Sequence, residues 1–174
     1  MNILKQYKLF INKITKPWVL IILTGLIILI NIIVFPFFTT EDTDKIPLLD
    51  TRFYYSSKDA AEYSLQLEKN EKIESIILHG TVDLIYPIIY TLLFSCIIFY
   101  LKGGYILTTL PLLAFVADIL ENIFIILILS NSQQNSLYAI FTIAASISTP
   151  LKWCSILLTL CVIIYLSIRR IYEK

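Results

Sequence analysis

Four stretches of this chain, roughly 18 to 38, 76 to 101, 104 to 130 and 137 to 168, are long and apolar enough to be bilayer-crossing helices. A helix rising about 1.5 Å per residue needs about 20 such residues to cross about 30 Å of hydrocarbon. Composition agrees, with 57% hydrophobic and 16% charged residues and a mean hydropathy of +0.78. Such a chain is not a soluble globular enzyme. A net charge of +1 supplies no field for nucleic acid. The expected fold is all-α: one membrane domain over 1–174, a four-helix transmembrane bundle.

Basic residues set the expected orientation, because Lys and Arg in short loops resist translocation. Lys5, Lys8, Lys13 and Lys16 precede the first stretch, Lys102 lies between the second and third, and Arg169, Arg170 and Lys174 follow the fourth. All are expected in the cytoplasm with both termini. The segment 39–75 holds nine acids against five bases and is expected outside. The first stretch reads as an uncleaved signal-anchor. The membrane expected is a bacterial inner membrane.

The short Lys102-Gly103-Gly104 link makes spans two and three an antiparallel hairpin. Pro150 removes a backbone donor inside the fourth stretch, so a kink or break is expected near Ser148 to Pro150. The external segment cannot bury a core of its own and must pack on the bundle. Within it, Ser56 and Asp59 form a capping box. The spacing then predicts a short amphipathic helix over 58–69, with Ala61 and Leu65, joined by Tyr63 and Leu67, at helix-like spacing and Asn70 at its end. Cys96, Cys154 and Cys161 fall within spans, where they act as small apolar residues.

Chemistry must come from ionisable residues at depths where lipid makes them costly: Asp83, Asp118, Glu121 and Lys152. Counted from the external end, Asp83 lies about 10 Å deep, Glu121 and Asn122 about 12 to 14 Å, Asp118 about 18 Å, and Lys152 near the midplane. One cluster in the outer half of the bundle is therefore expected. His79, Asp83, Tyr86 and Tyr90 share a face of span two; Asp118, Glu121 and Asn122 share one on span three. On span four Ser148, Thr149 and Lys152 share a face beside Trp153. His79 stands near the interface, where solvation alone can account for it. Asp50 and Arg52, in the turn Pro47 to Arg52, are expected at the outer mouth, paired with each other or with Arg52 capping the acidic cluster or an anionic head group.

Three carboxylates and one ammonium leave two uncompensated negative charges in low dielectric. A protonated carboxyl or a protonated His79 would reduce that charge, and a bound cation or cationic ligand would complete the site. A metal site from His79, Asp83 and Glu121 would suit a hard or borderline ion. In a purely structural arrangement, Lys152 pairs with Asp118 or Glu121 and Asp83 bonds tyrosine hydroxyls.

These motifs resemble a family of uncharacterised four-span bacterial integral membrane proteins. The resembling residues are Pro47-Leu-Leu-Asp-Thr-Arg52, Asp83 to Tyr90 with the Asp-x-x-Tyr-Pro-x-x-Tyr pattern, Asp118-x-x-Glu121-Asn122, and Lys152-Trp153. The resemblance implies a four-span fold and these candidate residues. It brings no reaction.

Three functional readings follow. In the first, the site binds, and in one version modifies, a lipid or amphipathic small molecule from the outer leaflet. Asp83, Asp118 and Glu121 are the candidate catalytic residues, with His79, Tyr86, Tyr90, Asn122, Lys152, Trp153, Asp50 and Arg52 as ligand contacts. In the second, the polar set is an interhelical lock in a structural or accessory protein. In the third, the carboxylates relay protons or cations in a carrier, which with four spans per chain requires a homo-oligomer. The sequence carries no nucleophile motif, phosphate loop or zinc-protease signature, so it names neither reaction nor cofactor.

Overall fold

The computed structural model describes residues 3–38, 49–131, 133 and 136–173. No strand occurs among them, and four helical segments are long and apolar enough to span a membrane: Pro17–Val34, Lys69–Tyr100, Ile106–Ser130 and Tyr138–Tyr172. The all-α, four-span reading is thus correct. Pro47 and Leu48 of the external motif and the acids Glu41, Asp42 and Asp44 lie outside the described residues.

Helix α1 (Ile3–Ile14) precedes α2 (Pro17–Leu29), which opens with a proline at its first turn, where no backbone donor is lost. The helix then widens into a π turn, Ile30–Val34, before α3 (Phe35–Phe38). Pro36 cannot donate, and just before it the Phe35 N–H reaches back five residues to Ile30 O. Buried Ile30 is the exception on a helix whose other faces are largely apolar and uncovered, with Ile21, Ile32 and Ile33 all exposed.

After a 3-10 turn at Leu49–Thr51 come α4 (Ser57–Gln66) and α5 (Lys69–Gly80). The Ser56–Asp59 capping box forms as expected, with Ser56 N donating to Asp59 Oδ2 at 2.8 Å and Asp59 N to Ser56 Oγ at 3.1 Å. The Ser56 main-chain N–H on the Asp59 carboxylate holds that carboxyl below its ordinary range. Two expectations fail here. Helix α4 stops before Leu67, whose backbone is extended, and Glu68 opens α5 with a second capping box to Glu71, so Asn70 lies inside a new helix. Leu65 points outward, while Ala60, Tyr63 and Ser64 are buried. That face packs with Leu49 and Tyr55 against Ile125, Ile128, Leu129, Tyr138 and Ala145, which attaches the segment to the bundle.

The second span is interrupted at Thr81, which leaves helical geometry between α5 and α6 (Val82–Tyr100). A tight reversal follows. Lys102 takes a left-handed backbone (φ 60°), Lys102 N bonds Phe99 O and Gly103 N bonds Ile98 O. A Cβ at Gly103 would collide with Ile98 Cγ2 and stand 2.8 Å from Ile98 O, so this position has no room for a side chain. Helix α7 (Tyr105–Thr109) leads into α8 (Pro111–Ser130). Pairings of Tyr90 with Asp118 and of Asn122 with Asp83 make α6 and α8 antiparallel, as expected.

Helix α9 (Tyr138–Tyr172) runs unbroken through Pro150, so the expected break is absent. At 35 residues it is about 52 Å long, well beyond one hydrocarbon thickness. The basic residues meet at one end of the bundle. Arg170 donates to Tyr100 O at 3.1 Å and stacks 4.5 Å from its ring, beside the Lys102 turn. Tyr7 of α1 bonds Ser95 of α6 at 2.8 Å.

Candidate functional site

The site lies where α5, α6, α8 and α9 meet the 49–52 turn. Helix α8 brings Asp118, Glu121 and Asn122 inward on one face, and α9 presents Thr149 and Lys152 to them. All five are buried. Lys152 Nζ lies 2.5 Å from Glu121 Oε2 and 3.6 Å from Asp118 Oδ1. It also donates to the main-chain carbonyl of Asp50 at 3.4 Å. Thr149 donates to the other Glu121 oxygen, and Tyr90 donates to Asp118 Oδ2 at 2.9 Å. These direct pairs join three helices.

Pro87 has a specific consequence in α6. It has no N–H to offer the carbonyl four residues back, which is that of Asp83. Asn122 supplies the missing donor, its Nδ2 standing 2.7 Å from Asp83 O. The amide also stands 3.5 Å from Asp118 Oδ1, so one asparagine bridges a proline-freed carbonyl and a buried carboxylate.

The Asp83 side chain sits differently. Among the described residues it bonds no tyrosine, contrary to the expected arrangement: Tyr90 takes Asp118, and Tyr86 accepts from Asn31 at 3.1 Å. Asp83 Oδ2 is instead 4.0 Å from His79 Nε2, too far for a hydrogen bond. His79 is 1% exposed, which removes simple solvation as its explanation. Its Nδ1 lies 2.8 Å from the Ser75 carbonyl. Asp50, His79 and Asp83 each bring a ligand atom within 4.8 Å of the others. Asp50 thus takes the place expected for Glu121, which is committed to Lys152 and Thr149.

A cavity of about 320 Å³ opens beside these groups. Asp50, Asp83, Asp118 and Lys152 supply its polar wall, and Phe35, Tyr86, Tyr90, Trp153 and Ile156 its apolar one. Tyr86 packs edge-on between Phe35 and Tyr90, with ring centres 5.4 and 5.6 Å away. Trp153 lies 5.4 Å from the Lys152 ammonium and donates to the Arg52 carbonyl at 3.1 Å. Arg52 therefore meets the site through its main chain, and no Asp50–Arg52 ion pair forms among the described residues.

Three contributors escaped the sequence reading. Asn31 interrupts an apolar run, which was its one signal, and the π turn that carries it brings it to the cavity. Ser75 orients His79 through a carbonyl, which no side-chain pattern reveals. Tyr55, 1% exposed and with its phenol pushed up by burial, sits close enough to Glu121 and Thr149 to feel both. No protein-family model, no curated protein and no solved structure matches this chain.

Proposed function

We propose that this four-span protein binds a lipid or amphipathic small molecule in the cavity between the Ile30–Val34 π turn, α3, α6, α8 and α9, as a member of the four-span bacterial family its motifs resemble. The observation that carries the reading is the two-sided wall of that cavity: carboxylates and an ammonium on one side, Phe35, Tyr86 and Ile156 on the other. A polar head would meet Asp83 and Asp50, and an apolar tail would lie along the aromatic wall. We place the 49–66 face toward the outside of a bacterial inner membrane, with both termini cytoplasmic. The gathering of Lys102 and Arg170 at the opposite end supports this orientation.

The interhelical lock is a second reading with its own support. Lys152, Glu121 and Thr149 pair directly, as a lock requires. The two coexist in the reading we favour: Lys152, Glu121 and Asp118 hold the bundle, and Asp83, Asp50 and the aromatic wall take the ligand. Native mass spectrometry of nanodisc-embedded protein tests it. Wild-type protein retains a bound amphiphile, and Ile156→Trp, which fills the cavity, loses it at unchanged thermal stability. Equal retention by both, or none by the wild type, contradicts the proposal.

A further inference from the structure

We infer that Asp50, His79 and Asp83 form a binding site for a divalent first-row metal ion, set into the wall of the cavity. The three residues come from three separate elements, the 49–51 turn, α5 and α6, and converge to within 4.8 Å. Bonds of about 2.0 to 2.2 Å to one ion hold two ligand atoms no more than about 4.4 Å apart, so binding draws these three atoms slightly inward from their present spacing by small side-chain rotations.

The argument rests on which atoms meet. Asp50 Oδ1, His79 Nε2 and Asp83 Oδ2 are each buried without a hydrogen-bond partner. The Ser75 carbonyl can only accept, so His79 Nδ1 carries the proton that bonds it at 2.8 Å. That fixes the ring with Nε2 turned toward Asp83, the orientation that a second hydrogen bond gives a metal-bound histidine. His79 is 1% and Asp83 6% exposed, so bulk water does not replace the missing donors. The nearest ammonium, Lys152, is spent on Glu121 and Asp118 and touches Asp50 through its main-chain carbonyl alone. Two carboxylates and one imidazole nitrogen thus face each other with no donor between them. A doubly charged cation balances both carboxylates and supplies the partner all three atoms lack.

One nitrogen and two oxygens favour a first-row ion such as hard Mn²⁺ or borderline Zn²⁺ over Mg²⁺, which prefers all-oxygen octahedral surroundings. Three protein ligands leave further coordination positions, and Asp50 and Asp83 line the cavity, so those positions face it. The inference rests on the proposed binding site only in taking that cavity as accessible.

Nanodisc-embedded protein stripped with EDTA and titrated with Mn²⁺ tests the site by electron paramagnetic resonance. The expected result is one-to-one binding, with an imidazole nitrogen coupling in the pulsed spectrum. His79→Gln and Asp83→Asn should each weaken binding at least about tenfold, and the exposed Glu62→Gln should leave it unchanged. Ile156→Trp should abolish amphiphile retention while keeping Mn²⁺, which separates failure of the metal site from failure of the amphiphile reading. No stoichiometric Mn²⁺ in the wild type, a spectrum without nitrogen coupling, or undiminished binding in folded His79→Gln and Asp83→Asn would each overturn the inference. Should both variants fail to fold, the wild-type nitrogen coupling alone decides.

Discussion

Asn122 donates across the α6–α8 interface to the main-chain carbonyl of Asp83, 2.7 Å away, and so replaces the donor that Pro87 removes. The pair keeps a kink-prone helix in contact with its neighbour at the depth of the site. Leaving a buried carbonyl unsatisfied costs about 1 to 3 kcal/mol. Asn122→Leu should therefore lower the thermal unfolding midpoint. In a Pro87→Ala background, where residue 87 can donate again, the same change should cost measurably less. Equal costs in both backgrounds would show that Asn122 does not serve the Asp83 carbonyl.

Lys152 and Glu121 should behave as a buried pair whose partners cannot be removed singly. Loss of one partner from such a pair costs about 3 to 5 kcal/mol. Lys152→Met strands both Glu121 and Asp118 and should destabilise more than Glu121→Gln, which leaves Lys152 its contact with Asp118 at 3.6 Å. The double variant should be less destabilised than the sum of the singles. Thermal unfolding of detergent-purified protein measures all three, and strict additivity would count against the lock.

The architecture was legible because bilayer physics leaves few choices: twenty apolar residues in a row must be a helix. The polar cluster was legible for the same reason, since Asp118, Glu121 and Lys152 have nowhere to go but toward each other. What stayed hidden depends on main-chain geometry. The unbroken path of α9 through Pro150, the interruption at Thr81 and the π turn at Asn31 are main-chain features that residue type alone does not encode. The exchange of Glu121 for Asp50 beside His79 was hidden because a turn far away in sequence folds back over the bundle, which no helical spacing encodes.

The Asp59 capping box makes the start of α4 sensitive to acid. The folded carboxyl lies below its ordinary value because Ser56 N–H bonds the ionised form. Its contribution is thus fully present above about pH 4, the ordinary aspartate value, and disappears as pH falls through the lower folded value. Protection of the Asp59 and Ala60 amides, relative to the intrinsic exchange rate at each pH, should fall over that acid range, and Asp59→Asn should show low protection at every pH. A pH-independent protection factor in the wild type would contradict the assignment.

The proposed orientation predicts opposite labelling of the two ends. In a background without the three native cysteines, Glu62→Cys on α4 should react with a membrane-impermeant maleimide on intact cells. Glu173→Cys should react after permeabilisation alone. The reverse pattern would invert the topology and place the cavity toward the cytoplasm.

The central claim is that the cavity bounded by Asp83, Asp118, Lys152 and Trp153 is an occupied binding site. An experimental structure in nanodiscs with native lipids retained tests it most directly. The account predicts elongated density in the cavity, its polar end against Asp83 and Asp50 and its tail along Tyr86 and Ile156. A dry, closed cavity with Asp83 and Asp50 drawn into direct side-chain pairs would contradict it and leave a structural lock.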